Sequence, residues 1–148
     1  MAQNTRYILA IDQSTTSSSA FIFDREGRIV SLANCQITQY HPEPGWVDQD
    51  SEEIFQSTLA VAHEAIAAAG IQPQQLAAIG VTNQRETTVI WDRITGEPVA
   101  PAIVWQCRRT AQLCEELKLQ GMEQVVRERS GLVIDAYFSA TKIRWLLD

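Results

Sequence analysis

The sequence predicts an α/β domain with a mixed β-sheet, and three observations lead to this fold class. Short apolar runs near the amino terminus alternate with turn residues, which is typical of an antiparallel meander. A long amphipathic pattern with a polar cap follows and indicates a helix. Strand-like and helix-like segments then alternate through the second half, which together with the meander gives a mixed sheet.

Three strands begin the chain. Residues 7–11 form an apolar run that predicts the first strand, and residues 20–24 predict the second. Residues 12–19, between them, are rich in small hydroxyl side chains and predict a turn. The segment Asp-Arg-Glu-Gly predicts another turn, because Gly27 adopts positive φ without strain. Residues 28–38 then complete the meander.

A helix is predicted after a loop over residues 40–47. Asp50 is placed to accept a first-turn backbone N–H, and Glu53 completes a capping box. Gly70 is a natural stop for this helix. Apolar residues at helical spacing indicate the face that packs on the core: Ile54, Val61, Ala62, Ala65, Ile66 and Ala69. The following apolar run, residues 76–81, is short and predicts a buried strand.

The second half predicts a strand pair and three helices. Residues 87–92 and 102–106 are expected to pair around a turn at residues 93–96. A helix is expected to start near Thr110 and to end at Gly121. The remaining expectations are inward-facing Leu113 and Leu117 on that helix, and two further helices over residues 122–129 and 139–147.

The composition excludes several classes of protein. Hydrophobic residues make up 45% of the 148 residues and charged residues 20%, which indicates a folded soluble domain. The net charge of −6 argues against nucleic-acid binding, and no apolar run approaches the ~20 residues that cross a bilayer. No signal-peptide core is found, so a cytoplasmic location is expected. The sparse cysteines lack CxxC spacing and predict neither disulfides nor zinc; Cys107 and Cys114 are expected to be buried.

The most distinctive polar segment is Thr-Asn-Gln-Arg-Glu-Thr-Thr at residues 82–88, directly after the strand predicted at 76–81. Open α/β sheets place ligands at the carboxyl ends of their strands. Arg85 offers several fixed donors and Glu86 offers only acceptors, so the pair could hold a small molecule that carries hydroxyl groups. The alternative is a surface ion pair worth less than ~1 kcal/mol.

Asp12 marks a second candidate site, at the end of the first predicted strand. Its carboxylate could hold Mg²⁺ through water. The hydroxyl groups of Thr15 and Thr16, with nearby backbone N–H groups, could contact phosphate oxygens. The alternative is an ordinary hairpin turn that its own Asp, Ser and Thr side chains stabilise.

Five motifs in a fixed order favour the functional alternatives. They are Asp-Gln-x-Thr-Thr-Ser-Ser at 12–18, Pro-Gly-Trp-Val at 44–47, the polar segment at 82–88, Trp-Gln-Cys-Arg-Arg-Thr at 105–110, and Ser-Gly-Leu-Val-Ile-Asp-x-Tyr-Phe-Ser-x-Thr-Lys at 130–142. This series resembles the amino-terminal part of the glycerol kinases, within the FGGY family of carbohydrate kinases. The resemblance covers nearly the whole chain, and the QRET and WQCRRT stretches are specific to the glycerol kinases.

The resemblance implies an actin-like, ribonuclease-H-like ATPase fold in which two domains flank a cleft. Residues 1–148 would be an incomplete first domain, with the second domain absent. The implied enzyme phosphorylates glycerol to glycerol 3-phosphate with ATP and Mg²⁺, and a homo-oligomer is compatible with it. The family's general base lies beyond Asp148, so no catalytic residue is expected within this chain, and the 148 residues alone are expected to be inactive.

The resemblance also implies a role for individual residues of the glycerol pocket. Arg85 and Glu86 match the family's glycerol-binding pair, and Trp105 and Tyr137 match aromatic residues of the same pocket. A triol fits these residue types, because its hydroxyl groups suit the charged pair and its thin hydrocarbon edge suits the aromatic faces.

The cofactor residues implied by the resemblance all lie in the first hairpin. Asp12 matches the magnesium-linked carboxylate. Thr15 and Thr16 match the phosphate-contacting turn, and Ser14 and Ser19 stand at two further positions of the same cofactor site.

Three positions depart from the family pattern. Ser14 replaces a glycine and would be strained by ~1 kcal/mol or more if its backbone required positive φ. Ser19 replaces an arginine, a loss that can cost ~10³-fold in phosphoryl transfer. Ala140 replaces a glycine, and we expect a mild effect. These departures leave open a catalytically inactive binding or regulatory fragment decayed from a kinase. A kinase for another sugar of the same family is a third interpretation.

Overall fold

The computed structural model describes residues 6–148. They form two compact units: the described residues up to Thr38 with Glu52–Gln84, and Gln39–Ser51 with Arg85–Asp148. The strands and helices are, in chain order, β1 (Tyr7–Gln13), β2 (Ser17–Phe23), β3 (Ile29–Gln36), β4 (Asp48–Gln49), α1 (Ser51–Ala68), β5 (Leu76–Thr82), β6 (Ala102–Ile103), α2 (Ala111–Leu119), α3 (Glu123–Ser130) and α4 (Ser139–Leu147).

The first unit contains a four-stranded mixed sheet with the order β3-β2-β1-β5. The pairs β1–β2 and β2–β3 are antiparallel, and β5 runs parallel to β1. The predicted meander and the mixed sheet are therefore confirmed. The predicted turn over residues 12–19 is too long, because β1 continues to Gln13 and β2 begins at Ser17. Backbone pairing tolerates these hydroxyl side chains, and the Ser14 N–H donates to the Ser17 carbonyl at 2.9 Å.

Helix α1 packs on this sheet. The buried residues of the cluster are Leu9, Ala20, Ile22, Ala33, Val61, Ala65 and Ile71. The predicted helix face is confirmed at Val61 and Ala65, and Ile54 is half-buried. Gly70, just after the helix, has φ +65°, the left-handed conformation that commonly ends a helix.

Strand β5 is not buried, contrary to the prediction. It pairs with β1 at the edge of the sheet, and Ile79 and Val81 are 60% and 68% exposed. An apolar run of this length is typical of a strand covered on both faces. The pattern carries no information about which segments do the covering, so the exposure was not predictable from residues 76–81.

The second unit contains a short two-stranded antiparallel sheet, β4 with β6. The predicted pairing of residues 87–92 with 102–106 is wrong as a regular ladder, because β6 pairs with β4 and only isolated bridges join Thr88 to Ile103 and Trp91 to Pro98. The predicted turn is present. Its backbone N–H groups at residues 94 and 95 donate to Asp92 Oδ1, both at 2.8 Å.

Three helices complete the second unit. Helix α4 has its predicted bounds, and the other two lie within two residues of theirs. Cys114 is the buried residue of α2, whereas the predicted Leu113 and Leu117 are half-buried. Cys107 is also buried, as predicted, but it lies before α2 rather than on it. No helix in residues 6–148 has the length and apolar character needed to cross a bilayer.

Candidate active site

Glu86 has a backbone conformation that is unusual for its residue type. Its φ is +66°, and it is the only non-glycine residue with positive φ in the described part of the chain. The left-handed conformation costs an L-residue about 1–2 kcal/mol. Such strain is retained where the surrounding structure fixes it, often at functional sites.

The Glu86 carboxylate lies at the start of α4. Its Oε2 atom accepts hydrogen bonds from the Ser139 backbone N–H at 2.8 Å and from the Ser139 hydroxyl at 2.6 Å. The first N–H groups of a helix have no partner within the helix, and the helix dipole favours an anion at this end. Both Ser139 donors therefore orient the Glu86 carboxylate at this helix end.

Trp105 and Tyr137 form an aromatic pair, and Tyr137 lies two residues before Ser139 in the chain. Their ring centroids are 5.7 Å apart with an interplanar angle of 66°. The Tyr137 backbone N–H donates to Asp135 Oδ1 at 2.8 Å, and Asp135 pairs with Arg108 at 2.9 Å. The pKa of the Asp135 carboxyl is lowered mainly by the hydrogen bond from the Tyr137 N–H and further by the Arg108 guanidinium. Desolvation acts in the opposite direction and raises this pKa, but the two lowering effects together are larger.

Lys142 connects these groups. Its Nζ atom donates to the carbonyl of Glu86 at 2.8 Å and to the carbonyl of Tyr137 at 2.6 Å. The structure thus brings together three of the four predicted substrate residues. Sequence reasoning assigned no role to Lys142 or Ser139. Their i, i+3 spacing within the motif at 130–142 was the available sign that they share one helix face.

Arg85, the fourth predicted substrate residue, is exposed. Within residues 6–148 it forms no ion pair with Glu86, so the surface ion pair considered as the alternative is not the arrangement found. The four predicted substrate residues offer three kinds of functional group to a small polar molecule. These are the guanidinium donors of Arg85, the carboxylate acceptor of Glu86 and the two aromatic rings.

The motifs at residues 44–47 and 105–110 build a rigid support in the same unit. The Arg109 guanidinium forms an ion pair with Asp48 and lies 4.0 Å from the ring centroid of Trp46 and 4.9 Å from that of Trp145. The Arg108 N–H donates to the Gly45 carbonyl at 2.7 Å. Several residues of both motifs therefore have structural partners within the protein, and their presence in the sequence does not require a bound ligand.

Asp12 lies near the carboxyl end of β1, in the first unit. It is directly opposite Ser19 of β2 and Thr82 of β5 in the sheet register. Its Oδ1 atom accepts a 2.7 Å hydrogen bond from the Ser14 hydroxyl. Ser14 is not among the residues with positive φ, so the strain expected there is not found.

The remaining cofactor candidates surround the same hairpin. The Thr16 carbonyl accepts the Ile37 N–H at 3.0 Å, and the Ser19 hydroxyl accepts from the Asn34 side-chain amide at 2.8 Å. Thr15 is half-buried. Among the described residues no group of three or more metal-ligating side chains is found. A single carboxylate still fits Mg²⁺, which usually keeps several waters and is bound partly by nucleotide phosphates.

Comparison with known proteins shows which family has this fold and these motifs. Residues 7–148 match the N-terminal domain of the FGGY family of carbohydrate kinases, and the chain belongs to that family. It is 62% identical to the glycerol kinase of Halorhodospira halophila and 58% identical to glycerol kinase 2 of Thermotoga maritima, each over 97% of this chain.

Solved structures agree with the fold. The crystal structure of Plasmodium falciparum glycerol kinase with ADP superposes with a TM-score of 0.88 at 37% identity over 97% of this chain. A gluconate kinase from Lactobacillus acidophilus superposes with a TM-score of 0.87, but at 19% identity it shows the fold alone. The predicted α/β, actin-like fold class is confirmed. The chain spans only 28–29% of the length of these relatives.

Proposed function

We propose that this chain is the amino-terminal part of an ATP-dependent glycerol kinase, with residues 1–148 forming most of its first domain. The longer protein would act in the cytoplasm and transfer the γ-phosphoryl group of ATP to glycerol. The observation that carries the proposal is the attachment of Glu86 and Tyr137 to the start of α4, with Trp105 beside Tyr137.

The proposed pocket matches the chemistry of a triol. Arg85 donates to glycerol oxygens and Glu86 accepts from glycerol hydroxyls, while the rings of Trp105 and Tyr137 cover the hydrocarbon edge. The Oε2 atom of Glu86 accepts from Ser139, which orients the carboxylate and leaves the other carboxylate oxygen for the substrate. The base that activates the attacking hydroxyl would come from the part of the protein beyond these 148 residues.

The proposed cofactor is ATP with Mg²⁺. Asp12 would hold the ion through water, and Ser14, Thr15, Thr16 and Ser19 would lie along the phosphates. When bound, the ion neutralises charge on the transferring phosphoryl group. The relative whose structure contains ADP supports nucleotide use by this family.

The first test is the intact mass of the gene product captured from its native cells, followed by a glycerol phosphorylation assay. A mass several times 16.6 kDa, with ATP-dependent formation of glycerol 3-phosphate, would support the proposal. A product of only 16.6 kDa, or a longer product without glycerol turnover, would contradict it and favour the inactive fragment.

The second test is Arg85→Ala in the full-length gene product. Because a charged hydrogen bond is worth about 1.5–3 kcal/mol, the glycerol KM should rise about 10- to 100-fold. Arg93→Ala is the matched control, since Arg93 is an exposed arginine of the turn at residues 93–96. Steady-state kinetics with varied glycerol gives both values, and an unchanged KM in R85A would exclude Arg85 from the pocket.

A further inference from the structure

Lys142 is fully buried on α4, although an ammonium group is costly to remove from water. Desolvation lowers the pKa of its amine. Within residues 6–148 no carboxylate forms an ion pair with it. An apolar side chain of similar size would fill this space at a lower cost. The ammonium group therefore has a role beyond packing.

The acceptors of Lys142 indicate that role. Both are backbone carbonyls, and they belong to Glu86 and Tyr137, two residues of the proposed glycerol pocket. Glu86 is 56 positions away in the sequence and Tyr137 is five. A single ammonium group thus holds two distant segments of the pocket together.

Glu86 is held at two points by the same face of α4. Lys142 binds its backbone carbonyl, and Ser139 binds its carboxylate. Because φ of Glu86 is +66°, its backbone needs such restraint to keep the side chain directed toward α4. The Thr88 hydroxyl donates to the same carbonyl, but at 3.5 Å, so the contact from Lys142 is much the shorter.

We infer that Lys142 is a positioning residue for the substrate: it fixes the backbones of Glu86 and Tyr137 so that carboxylate and ring face one bound polyol. This inference rests on the proposed function and adds a residue to which the family resemblance assigned no role. Its physical basis is preorganisation, because a displacement of about 1 Å in a binding group can cost ~100-fold in rate.

The test is Lys142→Met in the full-length gene product, because methionine keeps a long unbranched side chain and loses all three donors. The expected result is a glycerol KM raised about tenfold or more, with the KM for ATP unchanged within about twofold. Lys118→Met is the matched control: Lys118 lies on α2 and pairs with the exposed Glu115, and in the described part of the chain it donates no hydrogen bond to a residue of the proposed pocket. It should change neither KM value.

The effect of Lys142 should also depend on Glu86 if the lysine acts through it. In a Glu86→Ala background, Lys142→Met should raise the glycerol KM by clearly less than it does in the wild type. Equal effects in the two backgrounds would overturn the inference. Thermal unfolding of each variant separates this coupling from a general loss of folded protein.

A second variant covers the case in which Lys142→Met does not fold. Lys142→Gln keeps two N–H donors without the charge. It should raise the glycerol KM by less than Lys142→Met does, again with the ATP KM unchanged. A glycerol KM at the wild-type value in a folded Lys142→Gln or Lys142→Met protein would overturn the inference.

The inference and the proposed function fail in different ways. If the wild-type gene product phosphorylates glycerol and Lys142→Met leaves its glycerol KM unchanged, only the positioning role of Lys142 is wrong. If the wild-type product neither binds nor phosphorylates glycerol, the proposed function is wrong and the positioning role falls with it.

Discussion

Ser14 and Glu86 show how single residues depart from what their type suggests. Serine at position 14 would carry strain if its backbone required positive φ, yet the non-glycine residue with positive φ in the described part of the chain is Glu86, at +66°. Ser14 instead uses its hydroxyl to bond Asp12 Oδ1 at 2.7 Å. Ser14, which the resemblance places at a glycine position, therefore contacts the proposed magnesium-linked carboxylate by a hydrogen bond, and its backbone does not have positive φ.

This difference leads to a prediction for Ser14. In the full-length protein, Ser14→Gly and Ser14→Ala should lower the Mg²⁺ concentration for half-maximal activity by similar factors. The expected factor is a few-fold, because one hydrogen bond is worth about 0.5–1.5 kcal/mol and its removal leaves Oδ1 of Asp12 accessible to the hydrated ion.

Activity measured across a Mg²⁺ titration checks this prediction. Ser31→Ala is a control, since the Ser31 hydroxyl bonds the Ala65 carbonyl far along β3 from the hairpin turn. An effect of glycine without an effect of alanine would show that backbone freedom matters at position 14 and that the hydroxyl does not.

The segment that leads into α4 is the element on which the proposed pocket depends. Tyr137 has its N–H bonded to Asp135 and its carbonyl bonded to Lys142, so the peptide planes on both sides of its Cα are fixed. Asp135 is in turn paired with Arg108, which belongs to the same motif (residues 105–110) as Trp105. The segment at the start of α4 thus fixes the backbone of Tyr137, one member of the aromatic pair.

Asp135 gives this element a dependence on pH. Its pKa is lowered in the folded state, first by the Tyr137 N–H, so its stabilising contribution is present above about pH 3.8 and is lost as the pH falls through the lower folded value. Asp135→Asn should therefore lose less stability between pH 6 and pH 3 than the wild type.

Thermal unfolding across this pH range, in the full-length protein, measures that effect. Glu26→Gln is the control, because Glu26 pairs with Arg28 in an exposed turn, where ion pairs contribute little. The same acid sensitivity in wild type and Asp135→Asn would show that Asp135 does not stabilise the start of α4.

At the scale of the whole molecule, the main feature is the exposed apolar surface of β5. Ile79 and Val81 are mostly exposed on a strand that pairs only with β1 in the described part of the chain. An apolar edge strand with unpaired backbone groups is a template for pairing with another chain. The relatives are more than three times as long as this chain, so they have further residues available to cover such an edge.

We therefore predict that the 148-residue chain, expressed by itself, self-associates through β5. Ile79→Lys should reduce the association, because a lysine on an edge strand opposes strand pairing. Ile94→Lys is the matched control, since Ile94 is 93% exposed in the turn at residues 93–96. Sedimentation velocity at several concentrations measures both, and a monomeric wild-type chain would contradict the prediction.

The sequence by itself determined the elements whose cause is local. The first strands, the helices α1 and α4 and the turns at glycines follow from periodicity and from residues that favour turns or end a helix. The motifs likewise determined the family, and the resemblance to that family implied a glycerol pocket at Arg85, Glu86, Trp105 and Tyr137.

Only the tertiary structure decided what depends on distant partners. The exposure of β5 depends on which segments cover it, and the pairing of β6 with β4 depends on a competition that residues 102–106 do not encode. Lys142 reaches a carbonyl 56 positions away, so its role is invisible to any local pattern. A side chain's function in this protein follows from the groups that folding brings to it, and those groups are distant in sequence.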